Sequence, residues 1–271
     1  LGKRSDALSA QLHAALAAKN AANRQLQAEL RRTKEMETMR QQFLFAVSHE
    51  LKTPLAIIQG YAEGLESLTI DEETQRRYCR IIQSEARKMG IFVKDLLDVS
   101  RLEMGTLQLQ PVLFDFSALI DEMKERFSRI IVQKELCITW EIPKDILIFG
   151  DPARIDVILT NLISNAVDYT PQGRKIRISI LPKEGGYCIR VYNQGIRIPE
   201  KEQTLIWNAF YKGSSGQPTD RTFGGHGLGL GIVSSLVTLH GEAYGVYNEA
   251  DGVTFWFTVS DREKELPVKN E

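Results

Sequence analysis

His49, Glu50 and Thr53 stand close together in the run SHELKTP. On a helix His49 and Thr53, four positions apart, share a face, and Glu50 lies beside them. A neutral imidazole is a nucleophile, and its ordinary pKa of about 6.5 leaves most of it neutral near neutral pH. An adjacent carboxylate can take the proton from one ring nitrogen while the other attacks an electrophile such as phosphorus. Pro54 cannot donate a backbone bond, so the Glu50 carbonyl loses its helical partner and the helix can bend just past the histidine. Taken alone, a helical His beside a Glu is also the ordinary pattern of a solvated surface pair.

Two further constellations lie more than 100 residues downstream. Asp151 and Pro152 read as the N-cap and first position of a helix. That helix carries NLISNAVDYTP, which places Asn161, Asn165 and, on a nearby turn, Tyr169 on adjacent parts of one surface. Amide oxygens are hard ligands that hold Mg²⁺ without adding negative charge beside a triphosphate. Capping or solvated asparagines are the plain alternative, but Asn is an unfavourable choice in mid-helix, and these two sit among Ile163, Ala166 and Val167. In GGHGLGLGIV the glycines 224, 225, 227, 229 and 231 crowd the start of a helix running towards His240. Glycines let a backbone bend close to phosphate, and a helix N-terminus offers free N–H groups to anions. The run lacks the Lys and Ser/Thr of a P-loop and the spacing of a dinucleotide fingerprint. With the preceding KGSSGQPTDRTFGG it reads as a glycine linker, as a lid over a ligand, or as both.

The elements that must position these residues fall into two textures. Residues 5–44 are mostly Ala, Leu, Gln, Glu, Lys and Arg, with no Pro or Gly, the composition of a long exposed helix. Leu12, Leu16, Asn23, Leu26 and Leu30 draw one narrow stripe along it, and such a seam predicts a coiled-coil partner. The helical pattern continues through HELKTPLAIIQGYAEGLESL, breaks at the polar stretch 69–73, and resumes with Ile81, Ile82, Met89, Phe92, Val93, Leu96, Leu97 and Leu102 at a 3.6-residue period. Gly105 stands where a helix-ending glycine would. A lone helical hairpin cannot cover its apolar faces, so dimerisation into a four-helix bundle is expected. Beyond Gly105, VLFDF, LCITWEI, ILIF, KIRISIL, YCIRVYN and VTFWFTV predict strands, interleaved with helices near 117–133, 152–168 and 228–240. Gly185 and Gly186 predict a hairpin between two of them, hence a partly antiparallel sheet in a separate α/β domain, with the break near 106–111.

The bulk numbers bound the rest. In 271 residues, 34 basic side chains balance 35 acidic ones, so nothing in the overall charge draws the chain to nucleic acid. Three scattered cysteines contain no CxxC pair and fit a reduced compartment. No stretch approaches the roughly 20 apolar residues that span a bilayer. The chain opens on Leu1 without an initiator Met, so it reads as a fragment whose membrane segments lie upstream.

Taken in order, HELKTP, NLISNAVDYTP, VYNQGIRIP, IWNAFYKG and GGHGLGLGIV resemble the sequence boxes of sensor histidine kinases of two-component systems, over about Phe43 to Ser260. The resemblance implies a helical hairpin dimerising into a four-helix bundle, followed by an α/β sandwich ATP-binding domain of the Bergerat type. It divides the chain into a HAMP tail and coiled-coil signalling helix (1–42), a dimerisation and histidine phosphotransfer domain (43–106), a catalytic ATP-binding domain (107–262) and a polar tail (263–271). His49 would be the phosphoacceptor, with Glu50 assisting proton removal and Thr53 positioning water for dephosphorylation of a partner. Asn165 would bind Mg²⁺, with Asn161 close by. Tyr169, Asn193, Gly195, Lys212, Gly225, Gly227, Leu228 and Gly229 would contact ATP. The implied protein is a homodimer, the cytoplasmic portion of a membrane-anchored receptor, whose phosphoryl group passes to the receiver domain of a response regulator. Three positions depart from the family pattern: Asn193 replaces an Asp that accepts a hydrogen bond from adenine, Arg197 replaces a glycine, and Asp168 replaces a Lys, removing a positive charge near the phosphates. These departures suit an alternative, a phosphatase-biased or scaffold receptor with a weakened ATP site. An ATPase of the wider superfamily that includes Hsp90 and MutL-like proteins would share the ATP boxes but has no use for HELKTP.

Overall fold

A computed structural model describes residues 2–66, 70–213, 223 and 226–263. It separates into two compact units, Leu1–Thr53 and Pro54–Glu271. Helix α1 spans Gly2–Leu65, as expected where good helix formers run without interruption and Pro54 is the sole helix breaker. In the first unit, Leu26 and Leu30 of the apolar seam face solvent, 54% and 61% exposed. Leu12 and Leu16 lie outside the described side chains.

In the second unit, α2 (Glu72–Glu103) opens on an Asp71 N-cap, whose carboxylate accepts from the Thr74 N–H and hydroxyl, each at 2.8 Å. Those bonds, the backbone one first, hold the Asp71 carboxyl below its ordinary range. Tyr61 and Tyr78 meet edge to face with ring centroids 4.9 Å apart. Gly64 makes room for them, since a Cβ there would stand 2.7 Å from the Tyr78 ring. Helix α2 ends at Met104 and Gly105, the latter in the left-handed region at φ +66°. Phe92, Val99 and Leu102 are buried, whereas Val93 and Leu97 of the same apolar pattern remain exposed. The buried positions face the α/β layers, because α2 packs against the last helix of the fold.

The α/β part is a seven-stranded sheet covered on one face by three helices. Its elements are β1 (Val112–Asp115), α3 (Phe116–Gln133), β2 (Cys137–Glu141), β3 (Leu147–Gly150), α4 (Pro152–Tyr169), β4 (Lys175–Lys183), β5 (Gly186–Gln194), α5 (Gly229–Leu239), β6 (Tyr244–Asn248) and β7 (Gly252–Ser260). The sheet order is β1-β3-β7-β5-β4-β2, with β6 also paired to β7. Among the described strands only β2 and β4 run parallel; β4 and β5 form the expected hairpin, closing from Lys183 to Gly186. The strands alternate as a one-sided sheet requires: Ile176, Ile178 and Ile180 point into the core, and Arg177 and Ser179 point away from it. Across from them Ile155, Ile158, Leu159, Leu162 and Ile163 of α4 are buried, each side chain contributing about 2 kcal/mol by its removal from water.

Asp151 ties several elements together. Its carboxylate caps α4 through the Arg154 N–H at 3.2 Å and accepts the Gln110 N–H at 3.0 Å, fixing the segment between α2 and β1. Its own N–H donates to Nε2 of buried His240 at 3.1 Å. Nε2 therefore accepts, and Nδ1 carries the proton donated to the Leu236 carbonyl at 2.8 Å. Strand β6 is the one described strand that sequence reading passes over. Its Gly245 weakens the strand pattern, yet a Cβ there would sit 2.6 Å from the Trp256 ring on β7, so the glycine serves packing.

Candidate functional site

In the first unit the His49 side chain is exposed on α1, with exposed Phe45 (76%) and Leu44 on the preceding turn. Glu50 is half-buried. The Thr53 hydroxyl, also exposed, donates to the His49 carbonyl at 3.3 Å, which orients the hydroxyl and leaves the imidazole to act.

The second unit contains a cavity of about 420 Å³, walled by α2, α4, the segment after β5 and the start of α5. Helix α4 brings Asn161, Asn165 and Tyr169 to it at a repeated spacing of four, and Tyr169 closes the helix itself where a turn was expected. The Asn161 amide nitrogen donates to the Val157 carbonyl at 2.9 Å, so its oxygen is the end left to act as a ligand. That oxygen would lie 2.5 Å from a Cβ on Gly229, the first residue of α5. A side chain at 229 would have to displace that oxygen. Helix α5 starts without a side-chain cap, which leaves its first N–H groups without that kind of partner beside the cavity. Gly227 is left-handed at φ +74°, its carbonyl accepts the Phe210 N–H at 2.7 Å, and a Cβ would come within 2.9 Å of Phe210. Gly195 passes under the Tyr169 carbonyl, 2.8 Å from the place of its missing Cβ.

The lining includes the apolar side chains of Ile206, Leu228, Val253 and Phe255, together with Asn193. Asn193 is 2% exposed, and among the described residues its buried amide nitrogen has no hydrogen-bond partner. Lys212 is exposed and lines the cavity, as do Asn161 and Asn165. Gly225 lies outside the described residues.

Several residues of this site carried no signal in sequence. Lys94, Asp95 and Asp98 of α2 line the cavity, and the Phe92 ring packs on His226 at 4.6 Å between centroids. Asp98 pairs with Arg154 at 3.5 Å. Burial pushes the Asp95 carboxyl up to about 6; neighbouring Asp98 adds to the rise, while His226 and Lys94 oppose it. Asp168 also lines the cavity. Its carboxylate is buried, 3.7 Å from the Lys134 ammonium, and accepts the Phe223 N–H at 3.3 Å. A lysine from the end of α3 thus stands against the acid, which has taken the place of the family pattern's Lys. Phe223 in turn packs its ring on Phe127 of α3 at 5.5 Å.

Residues 39–105 match the family model of the His Kinase A (phospho-acceptor) domain, and residues 150–263 match that of the histidine kinase-, DNA gyrase B- and HSP90-like ATPases. The signal transduction histidine-protein kinase BarA of Escherichia coli (strain K12) is 31% identical over 88% of this chain, and the match covers 26% of BarA. The sensor-like histidine kinase SenX3 of Mycobacterium tuberculosis (strain H37Rv) is 30% identical over 81% of this chain and is itself covered to 53%. The chain thus spans between a quarter and about half the length of these relatives. Among solved structures, histidine kinase ThkA in complex with response regulator protein TrrA superposes with a TM-score of 0.61 at 26% identity, over 80% of this chain and 60% of that one. The first match contains His49, Glu50 and Thr53, and the second contains the glycine and asparagine lining of the cavity. Since both domains are present in that order, the chain belongs to the histidine kinases.

Proposed function

We propose that this chain is the signalling and catalytic part of a sensor histidine kinase, which phosphorylates His49 from Mg-ATP and passes the phosphoryl group to an Asp of a response regulator. The observation that carries the reading is the pairing of an exposed histidine in the phospho-acceptor match with a glycine- and asparagine-lined cavity in the ATPase match. The purine of ATP would lie against the apolar lining of Val253 and Phe255, beside Asn193 and Gly195. Its phosphates would face Tyr169, Lys212, Gly225, Gly227, Leu228 and Gly229 near the uncapped start of α5. Asn165, with Asn161 close by, fits Mg²⁺: the Asn161 oxygen is held outward by the bond from its nitrogen to Val157, and neither amide adds negative charge. Bound there, Mg²⁺ supplies charge neutralisation at the phosphates. The neutral His49 imidazole then attacks the γ-phosphorus: the N–P bond forms as the bond to the bridging oxygen breaks, ADP leaves, and Glu50 accepts the ring proton.

The exposed seam at Leu26 and Leu30 supports a homodimer built on residues 1–42 and on the hairpin of 43–106, with 107–262 as the ATP-binding domain and 263–271 as a tail. Among the described residues no helix is long and apolar enough to cross a membrane. Membrane anchoring, with this part on the cytoplasmic side, is proposed from the sensor names of the relatives. Thr53, one turn from His49, is proposed to position water for dephosphorylation of the regulator. The Lys134 partner of Asp168 weakens the case for a disabled ATP site. Incubation with γ-labelled ATP and Mg²⁺ is expected to give acid-labile label in the wild type and none in His49→Gln. Label that survives the substitution refutes His49 as acceptor.

A further inference from the structure

Asn193 is a buried polar side chain in the cavity lining, beside apolar Val253. It sits on β5 directly opposite Val253 of β7, so the two side chains share the sheet face that carries Phe255 two residues on. Burial of a polar group without a partner is unfavourable, and the amide nitrogen of Asn193 has none. A bound molecule is therefore the natural source of its partner. Among the described residues no neighbour hydrogen-bonds the Asn193 amide nitrogen, so nothing pins the amide in one orientation. A carboxamide offers a donor and an acceptor side by side and exchanges them by half a turn. In one orientation it matches the 6-amino group and N1 of adenine; in the other it matches the 6-oxo group and N1–H of hypoxanthine or guanine.

We infer that Asn193 lets the cavity accept 6-oxopurine nucleoside triphosphates alongside 6-aminopurine ones. The inference rests on the reading of the cavity as a nucleoside-triphosphate site, and it adds a relaxed choice at purine position 6. A carboxylate at this position could only accept, and would face the lone pairs of a 6-oxo group.

Displacement of a ribose-labelled fluorescent ATP from the full chain with Mg²⁺ tests it, using ATP, inosine triphosphate and purine riboside triphosphate, which has no 6-substituent. Inosine triphosphate is expected to bind within about fivefold of ATP, and purine riboside triphosphate about tenfold more weakly than either, because one hydrogen bond is missing. Asn193→Asp is expected to widen the preference for ATP over inosine triphosphate by more than about tenfold, whatever the variant's affinity for ATP itself. If ATP displaces the probe and inosine triphosphate fails at a roughly 30-fold higher concentration, the inference falls and the nucleotide site stands. Equal binding of purine riboside triphosphate and ATP also overturns it, without recourse to a variant. If the probe itself does not bind, both readings fall.

Discussion

Replacing Asp95 with Asn should stabilise the protein at neutral pH and do little in acid. Asp95 lies on α2 at the wall of the cavity, where burial raises its carboxyl from 3.8 to about 6, with Asp98 adding to the rise and His226 and Lys94 opposing it. A raised carboxyl pKa means that the folded state prefers the protonated form. Between about pH 4 and 6 the folded chain therefore holds a proton that the unfolded chain has released, and folding stability falls as pH rises through that window. Above about 6 the loss is complete. A tenfold change in proton affinity corresponds to about 1.4 kcal/mol, so the upper bound is about 3 kcal/mol. Because the side chain is only partly buried, solvent screening reduces the expected effect to about 1–2 kcal/mol. Asn keeps the shape and removes the charge. Its stabilising effect should be full at pH 7.5, about half as large at pH 5, and absent below about pH 4. Trp140, Trp207 and Trp256 all lie in the α/β layers, so urea unfolding followed by tryptophan fluorescence reads the part against which α2 packs. An equal shift of the midpoint at pH 5 and pH 7.5 would mean that the substitution acts through packing, and the electrostatic account would be wrong.

Gly229→Ala should lower ATP affinity about tenfold or more while leaving the fluorescence unfolding midpoint nearly unchanged, because the new methyl displaces the Asn161 oxygen and not the core; unaltered affinity by titration would show that this oxygen is not used. Asp151→Ala removes the cap of α4 and the bond to Gln110, and should cost about 2–3 kcal/mol in urea unfolding. A loss under about 0.5 kcal/mol would mean that water replaces both bonds. Thr53→Ala should leave autophosphorylation near normal and slow dephosphorylation of the regulator; equal loss of both in a paired assay would make Thr53 structural.

How far the sequence carries depends on how local each cause is. Helices α1 to α5 and six of the seven strands are legible because periodicity, caps and glycines act within a few residues. Asp151 and Pro152 announce α4 in this way, and Gly105 the end of α2. Strand β6 is not legible, because its Gly245 answers to Trp256 on another strand, eleven residues away. In the cavity, the spacing of Asn161 and Asn165 and the glycines before α5 are visible in one dimension. The α2 wall with Asp95 and Asp98 is not, since nothing in an amphipathic pattern says which buried face meets which surface.

The departures from the family pattern sharpen the same point, since a substitution has meaning only with its neighbours. At Asp168 a lysine replaced by an acid reads in one dimension as a reversal of charge beside the phosphates. In three dimensions the carboxylate is buried near Lys134, 34 residues earlier, and accepts the Phe223 N–H. Lys134 neutralises the acid without restoring the positive charge of a lysine, and the acid gains a positioning role towards the segment before α5. At Asn193 the opposite holds. Among the described residues the amide nitrogen has no partner, and the change is passed on to whatever the cavity binds. A departure with a partner at hand predicts retained chemistry and one without predicts altered specificity, so it is at Asn193 rather than Asp168 that this chain should differ from the family pattern.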